Sequence, residues 1–144
     1  MNSWQEVVSQ PVPLTQAFPE CALTDLSHFG LIRVSGADAR AFLQGQLTND
    51  INDVTPELAQ LSSYCSPKGR MLGSFWIFQR DEDLYLQLPN ERLGAILKRL
   101  QMFVMRSRVT LEDVTSELVH MGLAGDCAEA MLPFVPADEK ASLT

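Results

Sequence analysis

The stretch AQLSSYCSPKGRMLGSFWIFQRDEDLYLQLP, residues 59–89, decides the fold of this chain. Residues 66–69, Ser-Pro-Lys-Gly, have the composition of a tight turn, because proline presets its backbone angle and glycine tolerates positive φ. Residues 81–83, Asp-Glu-Asp, mark a second turn, and after it leucines alternate with other residues from Leu84 to Leu88. The stretch therefore predicts a meander of strands, with one strand running from Met71 to Gln79.

Two helices are predicted on either side of this meander. Residues 37–47 place Ala37, Ala41, Phe42 and Leu43 near one face, with Ser35 as the predicted N-cap and Asp38 three residues on. Residues 90–104, NERLGAILKRLQMFV, predict a second helix with Asn90 as its N-cap and a buried leucine and isoleucine stripe.

Shorter segments complete the predicted order, which from the second strand onward is β-α-β-β-α-β-β-α. Two strands precede the first helix, the second at residues 30–36, and two more follow the second helix in SRVTLEDV and ELVHMGLAG. A short helix is expected from Asp126, and another in an N-terminal arm, residues 1–20, ahead of a single domain at residues 21–144. We predict an α+β fold close to a split βαβ arrangement, an antiparallel-rich sheet with helices on one face. Its expected core contains Leu31, Phe42, Leu43, Leu72, Leu86, Leu93, Ile96, Leu97 and Leu100.

Composition limits the functional classes. The 144 residues are 46% hydrophobic with a net charge of −7, so the chain is globular and is not built as a whole to coat nucleic acid or an anionic membrane. No apolar run reaches the length of a membrane span, the N-terminus lacks a signal-peptide pattern, and three separated cysteines indicate a reducing, cytoplasmic setting.

Charge is distributed unevenly along the chain. Eight basic against four acidic residues give the segment from Lys68 to Arg108 a charge of +4. Such a local positive field can hold an anionic ligand, although solvated helix and strand surfaces produce the same pattern.

Two motifs carry a resemblance to a known family. RVSGADARAFLQGQLTNDI, followed by YCSPKGRMLGSFWIF and DLYLQLP, resembles the N-terminal region of the tetrahydrofolate-binding family of the glycine cleavage T protein (aminomethyltransferase). The likeness covers roughly residues 22–135. It implies the fold of the first domain of that family, a folate cofactor, and no membrane partner.

The YgfZ-type branch of this family fits better than the T protein itself. The T protein carries adjacent aspartates at positions matching Gly73 and Ser74, where this chain has no carboxylate for acid–base work. The YgfZ branch implies support of iron–sulfur cluster assembly or repair and of tRNA modification, with iron–sulfur or tRNA-modifying proteins as clients. We therefore expect no catalytic residue in this chain, with a one-carbon transferase or an interaction module without ligand as alternatives.

The branch's K-G-C-Y-x-G-Q-E motif is missing from this sequence. Family members close three domains around a central folate channel, and this chain resembles one part of that ring. It is expected to be a piece of a longer protein, a natural short form, or a subunit that completes the ring by self-association.

The resemblance places the end of the first helix at the folate channel. Gln46, Thr48, Asn49 and Asp50 carry amides, a hydroxyl and a carboxylate suited to a pterin edge, which has both donors and acceptors. The alternative is a helix end whose side chains satisfy loose backbone groups.

Three further residues complete the candidate cofactor site. Lys68 and Arg70 flank the turn glycine and suit the glutamate carboxylates of a folate, or else form a solvated hairpin tip. Trp76 is placed to stack on a pterin, although an aromatic at strand spacing more often packs in a core. No residues have metal-ligand spacing, so no metal is expected.

Overall fold

The computed structural model describes residues 21–125, in which seven strands and two α-helices follow one another along the chain. The predicted arm at residues 1–20 and the predicted helix from Asp126 lie outside the described residues. The elements are β1 (Cys21–Asp25), β2 (Phe29–Ser35), α1 (Ala39–Gln44), a 3-10 helix (Ile51–Asp53), β3 (Gln60–Cys65), β4 (Met71–Arg80), β5 (Asp83–Pro89), α2 (Asn90–Val104), β6 (Thr110–Asp113) and β7 (Met121–Gly125).

Five of these strands form one sheet in the order β3-β4-β5-β2-β6, and β1 pairs with β7 in a separate ribbon. Every pairing among the described strands is antiparallel. Because β5 and β6 both run antiparallel to β2 between them, β5-α2-β6 forms a split βαβ unit. The predicted α+β class, with an antiparallel-rich sheet, is confirmed.

Both helices pack on the same face of the five-stranded sheet, which we call the covered face. Its strand residues alternate with outward ones, and they form a single apolar cluster with the helices. The strands contribute Ile32, Val34, Tyr64, Phe75, Ile77, Leu84, Leu86 and Leu88, and the helices contribute Phe42, Leu43, Leu93, Ile96 and Leu100.

Most of the predicted core residues are buried, with two exceptions. Leu72 and Leu97 are only partly buried and pack against the edge of the cluster. Leu97 is half exposed because the buried stripe of α2 is narrow and centres on Leu93, Ile96 and Leu100. The stripe prediction therefore holds for three of its four positions.

The predicted capping of α1 by Ser35 is wrong. The helix starts later, after Asp38, and the side chain of Asp38 makes no capping bond. Its carboxylate instead accepts hydrogen bonds from the Arg108 backbone N–H at 2.8 Å and from the Arg108 guanidinium. These bonds, chiefly the backbone one, lower the pKa of Asp38. A partner 70 residues away has displaced the local cap.

The predicted N-cap of α2 is also shifted. Asn90 is the first helical residue, Pro89 occupies the cap position, and no side chain bonds the free N–H groups there. The Asn90 backbone N–H donates instead to the His28 carbonyl at 2.9 Å. Pairing of Phe29 with Pro89 thus positions the start of the helix.

The opposite face of the sheet is called the open face and carries no helix among the described residues. It bears Leu61, Ser74, Trp76, Phe78, Tyr85 and Gln87 at alternating strand positions. Phe78 stacks on Tyr85 with ring centroids 5.2 Å apart. Leu31, which the alternation also assigns to this side, is fully buried but lies outside the main cluster.

Candidate functional site

The segment that follows α1 folds along the outer edge of β3. Leu47 bridges to Tyr64, and the Thr48 backbone N–H donates to the Ser63 carbonyl at 3.0 Å. Asn49 continues the contact, because its Nδ2 donates to the Leu61 carbonyl at 3.0 Å. The edge strand is therefore partly paired, and the polar residues of the first motif are fixed against it.

Much of the hydrogen-bonding capacity of these polar residues is used locally. The Thr48 hydroxyl donates to Asn49 Oδ1 at 3.1 Å and accepts the Ser63 N–H at 3.1 Å. One oxygen of Asp50 accepts from the backbone and side chain of Asn52, at 3.0 and 2.9 Å. The alternative interpretation, in which these side chains satisfy backbone groups at the end of the helix, therefore holds for part of this segment.

Gln46 is the exception within the motif. It is half buried, and its side chain makes no hydrogen bond to any residue that the structure describes. Its amide keeps its full capacity for a ligand.

An open hollow of about 640 Å³ lies beside this segment. Asn49, Leu61 and Trp76 line it, together with Asn52, Asp53, Thr55, Leu58, Ala59 and Gln60. Asn49 and Trp76 meet here because Asn49 bonds the carbonyl of Leu61, and Leu61 pairs with Trp76 across β3 and β4. The volume falls within the range of small-molecule sites, and an aromatic face beside amide groups suits a planar polar ligand.

Two residues that shape this hollow were not predicted from the sequence. The Arg40 guanidinium bonds the Ile51 carbonyl at 2.9 Å, the Val54 carbonyl at 3.0 Å and Gln79 Oε1, so it holds the wall of the hollow in place. Gln60 donates through Nε2 to the Asp50 carbonyl at 3.0 Å, while its Oε1 is buried without a donor among the described residues. Because Gln60 pairs with Ile77, its side chain lies on the covered side of β3, opposite to the side that carries Trp76.

Lys68 and Arg70 lie away from this hollow. They are exposed at the β3–β4 turn, where the Ser66 backbone N–H donates to the Arg70 carbonyl at 2.7 Å and Gly69 has a φ of +74°. Trp76 lies six residues beyond Arg70 along the chain, which corresponds to about 20 Å of extended strand. The structure therefore brings Asn49 and Trp76 together but leaves the two cations at the far end of the hairpin.

Gly73 and Ser74 lie on opposite faces of β4. Gly73 pairs with Tyr64 and faces α2, and a Cβ atom placed on it would lie 3.3 Å from Ile96 Cδ1. Ser74 pairs with Ser63 and is exposed on the open face. Of the two positions, only Ser74 has room for a carboxylate facing a ligand on the open face.

Residues 21–125 have neither a metal-binding cluster nor a membrane-spanning helix. No group of three or more histidine, cysteine, aspartate or glutamate side chains there is arranged to hold a metal ion. None of the helices in that range is long and apolar enough to cross a membrane.

The comparisons with known proteins agree with this architecture. Residues 2–143 match the family described as GCVT N-terminal domain. The chain belongs to that family. The structure also resembles the crystal structure of the glycine cleavage system aminomethyltransferase T from Bartonella henselae, with a TM-score of 0.73 over 83% of this chain and 34% of that one. At 23% identity, this likeness shows the fold alone.

Sequence relatives come from both branches of the family. The tRNA-modifying protein YgfZ of Colwellia psychrerythraea is 32% identical over 86% of this chain and 38% of its own length. The aminomethyltransferase of Bacillus subtilis is 33% identical over 76% of this chain and 30% of its own length. The chain thus spans less than two-fifths of these relatives, and the resemblance predicted from the two motifs is confirmed.

Proposed function

We propose that this chain is a folate-binding, YgfZ-like protein that supports iron–sulfur cluster assembly or repair and tRNA modification in the cytoplasm. The observation that carries the proposal is the hollow at which Asn49 and Trp76 meet. Its setting in a family with several relatives named tRNA-modifying protein YgfZ favours this branch.

In the proposed complex, tetrahydrofolate or a related folate places its pterin against the Trp76 ring. Asn49, which lines the hollow together with Trp76, offers its amide to the pterin edge. Gln46, Thr48 and the second carboxylate oxygen of Asp50 do not line the hollow itself, and they are assigned to the ligand from the adjoining segment. Each of these groups orients the ligand without reacting with it.

Lys68 and Arg70 are assigned to the opposite end of the ligand. Their separation from Trp76, about 20 Å along β4, excludes direct contact with the same pterin. Glutamate carboxylates extending from the pterin are the part of a folate that suits these cations.

One-carbon transfer by this chain alone is not expected. Ser74 stands where a carboxylate would face the open side, and a hydroxyl of ordinary acidity is a poor substitute for a carboxylate base. Incubation with an aminomethylated carrier protein and tetrahydrofolate should therefore give no turnover. Turnover comparable to that of a glycine cleavage T protein would instead favour the enzyme alternative.

Tryptophan fluorescence tests the binding site directly. The sequence has only two tryptophans, so Trp4→Phe leaves Trp76 as the single reporter. Tetrahydrofolate should quench its emission with half-saturation above about 10 μM, because the open hollow contacts only one side of the ligand. Asn49→Ala should raise the concentration needed for half-saturation.

Gln101→Ala is the matched control for Asn49→Ala. Gln101 also donates one amide hydrogen bond to a backbone carbonyl, that of Leu111 at 3.1 Å, but lies on α2 away from the hollow. Equal weakening by both variants would count against the assigned site. An unchanged Trp76 signal at millimolar tetrahydrofolate would indicate an interaction module without this ligand.

A further inference from the structure

One flank of α2 carries two arginines directed toward the β3–β4 hairpin. Arg92 and Arg99 are seven residues apart, with Ile96 between them, so they lie on the same side of the helix about 10 Å apart along its axis. Ile96 lies against Gly73, and Arg99 donates through Nε to the Tyr64 hydroxyl at 3.2 Å. The opposite flank is fixed toward β6 by Gln101.

The turn of the same hairpin adds two more cations. Tyr64 is the second-last residue of β3, so the turn with Lys68 and Arg70 begins two residues beyond the Arg99 contact. We call Lys68, Arg70, Arg92 and Arg99 the basic ridge. Lys68, Arg70 and Arg92 are exposed and Arg99 is half buried.

The cations of the basic ridge differ from two arginines elsewhere, Arg33 and Arg108. Within the described residues, none of the four has an ion pair, whereas Arg33 pairs with Glu112 at 2.7 Å and Arg108 pairs with Asp38 at 3.3 Å. The single acidic residue of α2 is Glu91. Positive charge is therefore concentrated at this side of the molecule, although the whole chain carries −7.

We propose that the basic ridge binds the phosphate backbone of a tRNA. This inference rests on the proposed function and deepens it, because it assigns the nucleic acid to a surface that lies away from the hollow and shares only Lys68 and Arg70 with the proposed folate contacts. Three of the four cations are arginines, whose guanidinium group forms paired hydrogen bonds with phosphate. Such contacts position an RNA by its shape and charge and do not select a base sequence.

A salt series with fluorescein-labelled, unmodified tRNA transcript tests the ridge. Fluorescence anisotropy should give binding to the 144-residue chain that weakens with salt, with a slope of log affinity against log salt of about −3 for four phosphate contacts. Lys68→Gln/Arg70→Gln should weaken binding at every salt concentration and reduce the steepness of the slope by about 1.5.

Arg92→Gln separates this proposal from the folate site. Arg92 makes no contact assigned to folate, so this variant should weaken tRNA binding and reduce the slope by about 1 while leaving the tetrahydrofolate titration of Trp76 unchanged. Unchanged tRNA binding by Arg92→Gln would contradict the ridge and leave the folate site standing. Salt-dependent tRNA binding by a chain whose Trp76 emission does not respond to tetrahydrofolate would contradict the folate site and leave the ridge supported.

Arg33→Gln/Arg108→Gln is the charge-matched control. It also removes two positive charges, but from exposed ion pairs outside the ridge, where the cost in stability is small. If the control weakens tRNA binding as much as Lys68→Gln/Arg70→Gln does, net charge and not the ridge governs binding. If poly-L-glutamate displaces tRNA at equal charge concentration, the ridge suits an acidic polypeptide and the tRNA proposal is wrong.

Discussion

On β4, Phe75 and Ile77 are buried beneath two helices, whereas Trp76 and Phe78, each one residue away, remain half exposed on the other side of the sheet. The covered face is a closed apolar cluster in which substitution disturbs packing. The open face combines aromatic rings with polar side chains and borders the hollow beside Asn49. The same strand therefore stabilises the fold through one set of residues and offers a ligand surface through the other.

The strongest test of this contrast removes a leucine from each face. Leu86 is fully buried, so Leu86→Ala should lower the free energy of unfolding by about 2–5 kcal/mol. Leu61 is 51% exposed on the open face, so Leu61→Ala should cost about 1 kcal/mol or less. Urea denaturation monitored by circular dichroism measures both. Similar losses for the two variants would mean that something covers the open face in solution.

A smaller effect is expected from adding a carboxylate to neighbouring positions of β4. Gly73→Asp places its side chain against Ile96 beneath α2, where a charged group is desolvated, and should cost about 2–4 kcal/mol. Ser74→Asp points to the open face and should change stability by only about 0.5 kcal/mol. Thermal unfolding at neutral pH compares the two, and a tolerated Gly73→Asp together with a destabilising Ser74→Asp would reverse the assignment of faces.

The division of the sheet into two faces could be predicted from the sequence, because it depends on local patterns of apolar and polar residues. Alternation from Leu84 to Leu88, the turns at residues 66–69 and 81–83, and the helical stripe of α2 each depend on neighbours in the chain. These patterns do not determine the order of the strands in the sheet. They were nevertheless sufficient to predict the α+β class and most of the buried core residues. The partial burial of Leu97 shows that the width of a buried stripe depends on the sheet beneath it.

Features that depend on distant partners were not predictable in the same way. Ser35 has the right character for an N-cap, but Arg108 engages Asp38 and the backbone there follows that tertiary contact. The meeting of Asn49 with Trp76 depends on the register of β3 against β4. Arg40 and Gln60 had no motif to mark them, since their roles are contacts with backbone carbonyls that local spacing does not encode.

The smallest expected effect on stability concerns His120. This residue lies at the end of the sheet where the segment after β6 covers part of the open face. There Leu31 is buried. Its carbonyl accepts a hydrogen bond from the Val114 N–H, and its own N–H donates to the Thr115 hydroxyl. Further along that segment, Nε2 of His120 is buried without a partner among the described residues. Burial lowers the pKa of His120, and a hydrogen bond to the Phe29 backbone opposes this shift.

Because the folded state holds His120 in its neutral form, protonation should favour unfolding. The stability contribution is fully present above the unfolded pKa of about 6.5 and is lost as the pH falls through the lower pKa of the folded state. We expect wild type to lose more stability than His120→Gln between pH 7.5 and pH 5, as measured by urea denaturation at each pH. The carboxylates titrate in both proteins, so their effect cancels in the comparison.

His28→Gln removes an exposed histidine and serves as the control. If His28→Gln and His120→Gln change the pH dependence of stability equally, burial of His120 is not the cause of that dependence.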